Sequence, residues 1–334
     1  MKRILLMFLL VSVLLFVSGC NKKNKSEKDF LKIVTETKGY KAEGIIESYY
    51  ETGKKQHDFV VYFKSPDYFK VVIKPTGSLD KQIILKNNDG VFILVPAVNR
   101  NFKIQSSWPK NASYPYLLQS LAKDIANDNE LIKTREDGRI IIETKTKFHA
   151  NANPIKQKII LDTETSLPKE VLVYDAKGNL HTRVIFSNIQ LDYNVSNEEF
   201  DVNKSMESVR LEFGEEKITY ENRTISYPNY YPAGSKLSAE DTIIIGNNND
   251  VRSIMKFTGE VGFTVVQEYV NDTEEIVTST HEGEIVLVFG VIGVLGKTSL
   301  SFIHEGIEYL LASNDLPYDE LIKVGSSYLI PKEK

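Results

Sequence analysis

The chain of 334 residues holds one cysteine, Cys20, and five histidines, His57, His149, His181, His281 and His304. These are the side chains best suited to nucleophilic attack and metal ligation near neutral pH. Their spacing argues against both uses. The histidines are far apart, and no His-Glu-x-x-His pair, phosphate-cradling glycine loop or dinucleotide fingerprint occurs. A Gly-x-Ser-x-Gly elbow is likewise missing. The acidic pairs Glu198-Glu199 and Glu215-Glu216 adjoin loop-like sequence and read as solvated faces. "GNNND" (246–250) is rich in oxygen donors but lacks the regular spacing of a calcium loop, so it reads as a polar turn. "GVIGVLGK" (290–297) fails the spacing of a phosphate loop and reads as a glycine-containing strand and turn. The expectation is a protein that is not an enzyme and needs no cofactor or metal.

Cys20 has a different chemistry open to it. Lys2 and Arg3 precede an apolar run from Ile4 to Val17, and Ser18 and Gly19 are the small residues a signal peptidase needs. The run is shorter than the ~20 residues that span a bilayer. Val17-Ser18-Gly19-Cys20 resembles the lipobox of bacterial lipoproteins, in which a diacylglyceryl group is joined to the thiol and cleavage leaves the cysteine first. Two acyl chains anchor stably where one binds only marginally. The resemblance implies a signal peptide over 1–19 and a lipidated N-terminus with a flexible tether over 20–29. Cys20 would hold the protein on the extracytoplasmic side of the cell membrane. With its only thiol joined to lipid, the exported chain has none left for a disulfide, zinc-thiolate site or cysteine nucleophile. Loss of residues 1–19, which carry Lys2 and Arg3, takes the net charge from −4 to −6. A mildly acidic surface gives no case for nucleic-acid binding.

The rest of the chain reads as strands. "HDFVVYFKSPDYFKVVIK" sets His57, Phe59, Val61 and Phe63 on one face and Asp58, Val60, Tyr62 and Lys64 on the other, before a Ser65-Pro66-Asp67 turn. Strands 82–86 and 91–95 flank an Asn-Asn-Asp-Gly turn, in which Asp-Gly is expected to supply positive φ. Further strands are expected at 139–145, 155–161, 170–174 and 180–186, and again at 242–245, 254–258, 261–269, 284–289 and 298–303. Helices are expected at 29–37 and 116–127, the latter from the stripe Leu117, Leu121 and Ile125 flanked by Leu118 and Ala122. A last helix after Pro317 would be capped by Ser313, Asn314 or Asp315. The charge-rich stretch 201–221 and "TISYPNYYPAG" mark a boundary near residue 207. The economical reading is a mainly β, α+β protein with an antiparallel sheet and a few helices against it.

The 17 tyrosines and 16 phenylalanines fall heavily on strands, where aromatic residues are favoured for packing alone. They also admit a second use, a concave apolar cleft able to take an acyl chain or a partner's side chains. Its candidate lining is Phe59, Val61, Phe63, Tyr68, Phe92, Leu94, Trp108, Leu117, Leu121 and Ile125.

Three stretches carry a family resemblance: "GVFILVPAVNRNFKIQSSWP" (90–109), "YLLQSLAKDI" (116–125) and "PKEVLVYDAKGNLHTRVIFSNIQ" (168–190). Together with the lipobox they resemble the LolA-like lipoproteins of spore-forming Gram-positive bacteria, the YdcC-like and GerS-like sporulation and germination lipoproteins. The resemblance implies a half-barrel domain over 30–206, an unclosed antiparallel β-barrel plugged by helices. "FTGEVGFTVVQEY" (257–269) and the segment 299–329 resemble the smaller C-terminal module of an RseB-like two-domain layout, here 207–334. A membrane-anchored copy departs from the diffusing lipoprotein shuttle of this fold. The GerS resemblance implies instead an exported protein partner, a cell-wall amidase or an envelope regulator. Binding of an acyl chain or lipoprotein, and RseB-like envelope-stress sensing, remain alternatives.

Overall fold

The computed structural model describes residues 27–50, 53–78, 80–212, 220, 223–245 and 250–329. Cys20, the signal segment, Glu215-Glu216 and most of the polar turn at 246–250 lie outside the described residues. Residues 27–29, expected in the tether, belong instead to helix α1, which runs Glu27–Glu36 and buries Phe30.

Two sheets hold all the described strands. The first comprises β1 (Gly39–Tyr50), β2 (Gly53–Lys64), β3 (Tyr68–Pro75), β4 (Gln82–Asn87), β5 (Gly90–Val95), β6 (Arg100–Gln105), β7 (Ile132–Glu136), β8 (Arg139–Thr146), β9 (Ile155–Asp162), β10 (Pro168–Tyr174) and β11 (Leu180–Leu191). Helix α2 (Leu118–Asn127) lies between β6 and β7, and α3 (Val202–Glu212) follows β11. The second sheet comprises β12 (Lys236–Ile245), β13 (Asp250–Thr258), β14 (Phe263–Tyr269), β16 (Glu284–Val288), β17 (Val291–Leu295), β18 (Ser299–His304) and β19 (Ile307–Ala312). Helix α4 (Tyr318–Tyr328) is the last described helix, and β15 (Val277–Glu282) leaves the second sheet's run of sequence to join the first sheet.

The first sheet therefore has twelve strands in the order β15-β6-β5-β4-β3-β2-β1-β11-β10-β9-β8-β7. It does not close, since β15 and β7 stand at opposite ends. Every pairing is antiparallel except β15 on β6, which is parallel from Val277 beside Arg100 to Glu282 beside Gln105. The second sheet runs β12-β13-β14-β19-β18-β17-β16 and is antiparallel throughout.

Alternation along β2 places residues as their types require. His57, Phe59, Val61 and Phe63 are buried, while Asp58, Val60, Tyr62 and Lys64 are half-buried on the other face. In the β4–β5 hairpin Asn87 pairs with Gly90, and Gly90 rather than Asp89 takes the positive φ, +137°. Asn88-Asp89 thus forms the turn and glycine the exit from it. The last helix is preceded by Pro317 at its cap position, and Ser313 acts earlier. Its hydroxyl accepts from the backbone N–H groups of Asp315 and Leu316 and so shapes the turn that leads in.

Several elements depart from the expected pattern, β7 among them. The stretch 201–221 contains α3, whose Met206 and Val209 are buried against the first sheet, and residue 207 falls within it. Strand β15 was not legible because Val-Thr-Ser-Thr-His-Glu offers no apolar alternation. Strand β19 completes a hairpin with β18 across His304 to Ile307.

The core is continuous between the sheets. One face of the second sheet packs on α4 through Val286, Val288, Leu300, Phe302, Leu321 and Val324. Alternate residues of the same strands, Ile285, Ile292, Val294 and Ile303, join the core of the first sheet.

Candidate functional site

The inner face of the first sheet is filled by the chain's own side chains. Phe59, Val61, Phe63, Trp108, Leu117, Leu121 and Ile125 meet there with Phe30, Tyr114, Tyr116 and Leu118. Trp108 and Leu117 have no exposed surface, and Ile125 has 3 %. Phe59 sits edge-on to Phe186 at 5.5 Å, and Phe69 to Trp108 at 5.6 Å, spacings typical of packed aromatic pairs. Polar tips inside are partly tied down. Tyr40 donates to Gln119 Oε1 at 2.8 Å, and Tyr114 donates to the Ile285 carbonyl at 3.0 Å, which fastens the second sheet to this core. Burial raises the hydroxyl pKa of Tyr40, Tyr114 and Tyr116, so all three stay protonated, the Tyr116 hydroxyl without a partner.

Three of the residues expected in one cleft belong elsewhere. Phe92 and Leu94 lie on the opposite face of β5 from Val91, Ile93 and Val95, and pack with Ile83, Leu85 and α3. Tyr68 is half-buried and lies 5.5 Å from Phe200. The reason is local to β5: "GVFILV" is apolar at every position because both of its faces are covered, so its alternation carries no sign. What covers the second face is α3.

An open site lies at the junction of the two sheets. A pocket of about 610 Å³ is lined by Lys55, Gln56 and His57 of β2, Pro75, Ser78 and Asp80 around the β3–β4 connection, Tyr220, and His304 and Glu305 at the β18–β19 turn. Two of the five histidines are thereby brought together, although nothing in their sequence spacing announced it. No group of three metal-ligating side chains exists among the described residues.

The electrostatics of the pocket follow from burial. Desolvation pushes His57 down to about 4, with Lys55 acting the same way and Asp58 opposing. Desolvation, Lys55 and His57 together push His304 down to about 3. Both imidazoles are neutral near pH 7. Burial lowers the pKa of Lys55, opposed by Glu305. It raises that of Asp80, opposed by the hydrogen bond that the Tyr220 hydroxyl donates to Asp80 Oδ2 at 2.8 Å. His57 Nδ1 and Asp80 Oδ1 are buried and have no hydrogen-bond partner.

Comparison with known proteins places the chain. The model of the sporulation protein YdcC-like family matches residues 1–200. The sporulation protein YdcC of Bacillus subtilis strain 168 is 31 % identical over 279 residues, 83 % of this chain and 82 % of that protein. Among solved structures, the Pseudomonas aeruginosa MucA/MucB complex matches with a TM-score of 0.32 and 14 % identity, covering 90 % of this chain and 97 % of that one. The structure of the CwlD amidase from Clostridioides difficile in complex with the GerS lipoprotein matches with a TM-score of 0.22 and 16 % identity, covering 52 % and 99 %. The extent of the first two matches, over an unclosed sheet with helices against its inner face, means that this chain belongs to the YdcC-like sporulation protein family.

Proposed function

We propose that the protein is a non-enzymatic lipoprotein, anchored through Cys20 to the outer side of the cell membrane, that binds and positions an exported protein partner during sporulation or germination. The observation that carries this reading over acyl-chain transport is the filled inner face. An acyl chain there would have to displace Trp108, Leu117 or Phe59, each 0–1 % exposed. Exposed large apolar residues are instead concentrated on the second sheet, where Leu237, Ile243, Ile244, Ile254 and Leu310 are 38–70 % exposed. Apolar surface of that kind suits a protein partner. An exported enzyme such as a cell-wall amidase, or an envelope regulator, is the class of partner in view.

The test begins with the anchor. Cys20→Ala in the native host should move the protein from the membrane fraction to the soluble one. Native mass spectrometry of the wild-type chain should show the covalent lipid at Cys20 and no further acyl adduct. A further, non-covalently bound acyl chain would sink the preference for a protein partner, and a membrane-bound Cys20→Ala variant would sink the anchor.

A further inference from the structure

We propose that the pocket at the junction of the two sheets binds an uncharged, polyhydroxylated ligand, a mono- or disaccharide unit. The site is separate from the filled core and does not depend on a protein partner. Its volume, about 610 Å³, falls within the ~300–1,000 Å³ usual for small-ligand sites, which favour domain junctions.

The lining selects the chemistry. It mixes donors and acceptors instead of massing one sign: Lys55, Asp80 and Glu305 share it with two imidazoles and the Ser78 hydroxyl. An anionic ligand would have to face both carboxylates, and a cationic one would have to face Lys55. A hydroxyl both donates and accepts, so a ligand built of hydroxyls can meet every group present. Two of these groups have unmet capacity. Asp80 Oδ1 calls for a donor, and His57 Nδ1 takes either role according to its tautomer. The Tyr220 ring and Pro75 add apolar wall against which the C–H face of a sugar can lie. The Tyr220 hydroxyl, already committed to Asp80 Oδ2, holds the carboxylate with its other oxygen free.

Saturation-transfer NMR on the full-length chain, held in lauryldimethylamine oxide micelles so that no glycosidic detergent competes, tests this. The probes are N,N′-diacetylchitobiose and maltose, with glycerol 3-phosphate as the anionic comparison. At least one sugar should show transfer. Its affinity should fall by about tenfold or more in Asp80→Asn, the scale expected for losing a hydrogen bond to a charged group. It should vanish in Ser78→Trp, which fills the pocket from a loop position and gives up only the hydrogen bond that the Asp80 backbone N–H donates to Ser78 Oγ at 3.0 Å. If Asp80→Asn fails to fold, Ser78→Trp decides the matter. No transfer to either sugar overturns the proposal. So does tighter binding of glycerol 3-phosphate, or sugar binding that survives Ser78→Trp.

Discussion

The ring of His57 lies directly on the α-carbon of Gly290, so that a Cβ at position 290 would stand 2.1 Å from His57 Cε1 and 2.3 Å from Nδ1. Gly290 has φ of +89° in the turn between β16 and β17, where its neighbour Phe289 takes φ of +48° and packs edge-on to Tyr50 at 5.9 Å. The turn is the point at which the second sheet presses on β2. Gly290→Ala therefore meets a steric clash and an unfavourable φ together. It should cost about 2–3 kcal/mol in denaturant unfolding. A cost below the experimental error would mean that the two sheets do not meet here.

The depressed histidines give the junction a pH dependence with a definite sign. Unfolded, each imidazole takes a proton near pH 6.5, whereas in the folded protein His57 does so only near 4 and His304 near 3. The unfolded state binds more protons between those values, so stability is lost as pH falls from about 6.5 toward 4. For His57 the shift corresponds to roughly 3 kcal/mol. Asp80, whose pKa burial raises, acts in the opposite sense at the acid end, and Lys55, Asp58 and Glu305 complete the local charge. In urea unfolding from pH 7 to 4.5, His57→Asn should flatten the slope. An unchanged slope would show that His57 is not held neutral.

Phe59 and Phe92 provide a test of the two faces. Each is buried, yet they belong to different clusters on opposite sides of the first sheet. Phe59→Ala and Phe92→Ala should each cost several kcal/mol, ~3–5 where the site cannot collapse. Their costs should add within about 0.5 kcal/mol. Phe59 and Phe186, in edge contact at 5.5 Å, should instead couple by ~0.5–1.5 kcal/mol. Coupling between Phe59 and Phe92 of that size would place them in one cavity after all.

The hold on β15 is also open to measurement. Arg210 Nη1 donates to the Pro96 carbonyl at 2.9 Å and to Asp272 Oδ1 at 2.8 Å, and Asn99 Nδ2 donates to the Thr273 carbonyl at 2.8 Å. These contacts clamp the segment that delivers β15 to β6. Arg210→Ala should speed hydrogen exchange across 277–282 by roughly tenfold while leaving β12–β14 unchanged. Equal acceleration in both regions would indicate general destabilisation and not release of one strand.

What the sequence determined by itself is local. The alternation of β2, the hairpin turns, the apolar stripe at Leu117, Leu121 and Ile125, and the scarcity of catalytic spacing are consequences of neighbours along the chain, and they are enough for a mainly β fold with helices against its sheet. The tertiary structure decided everything that depends on which faces meet. Periodicity of two defines two faces without saying which is covered, and it is α3 lying over Phe92 and Leu94 that decides their side. Strand β15 pairs in parallel with a strand distant in sequence, through backbone groups that any residue carries, so its side chains gave no signal. The junction pocket draws on four separate stretches of chain, and His57 and His304 become neighbours only because the second sheet packs one face on the first sheet's core and the other on α4.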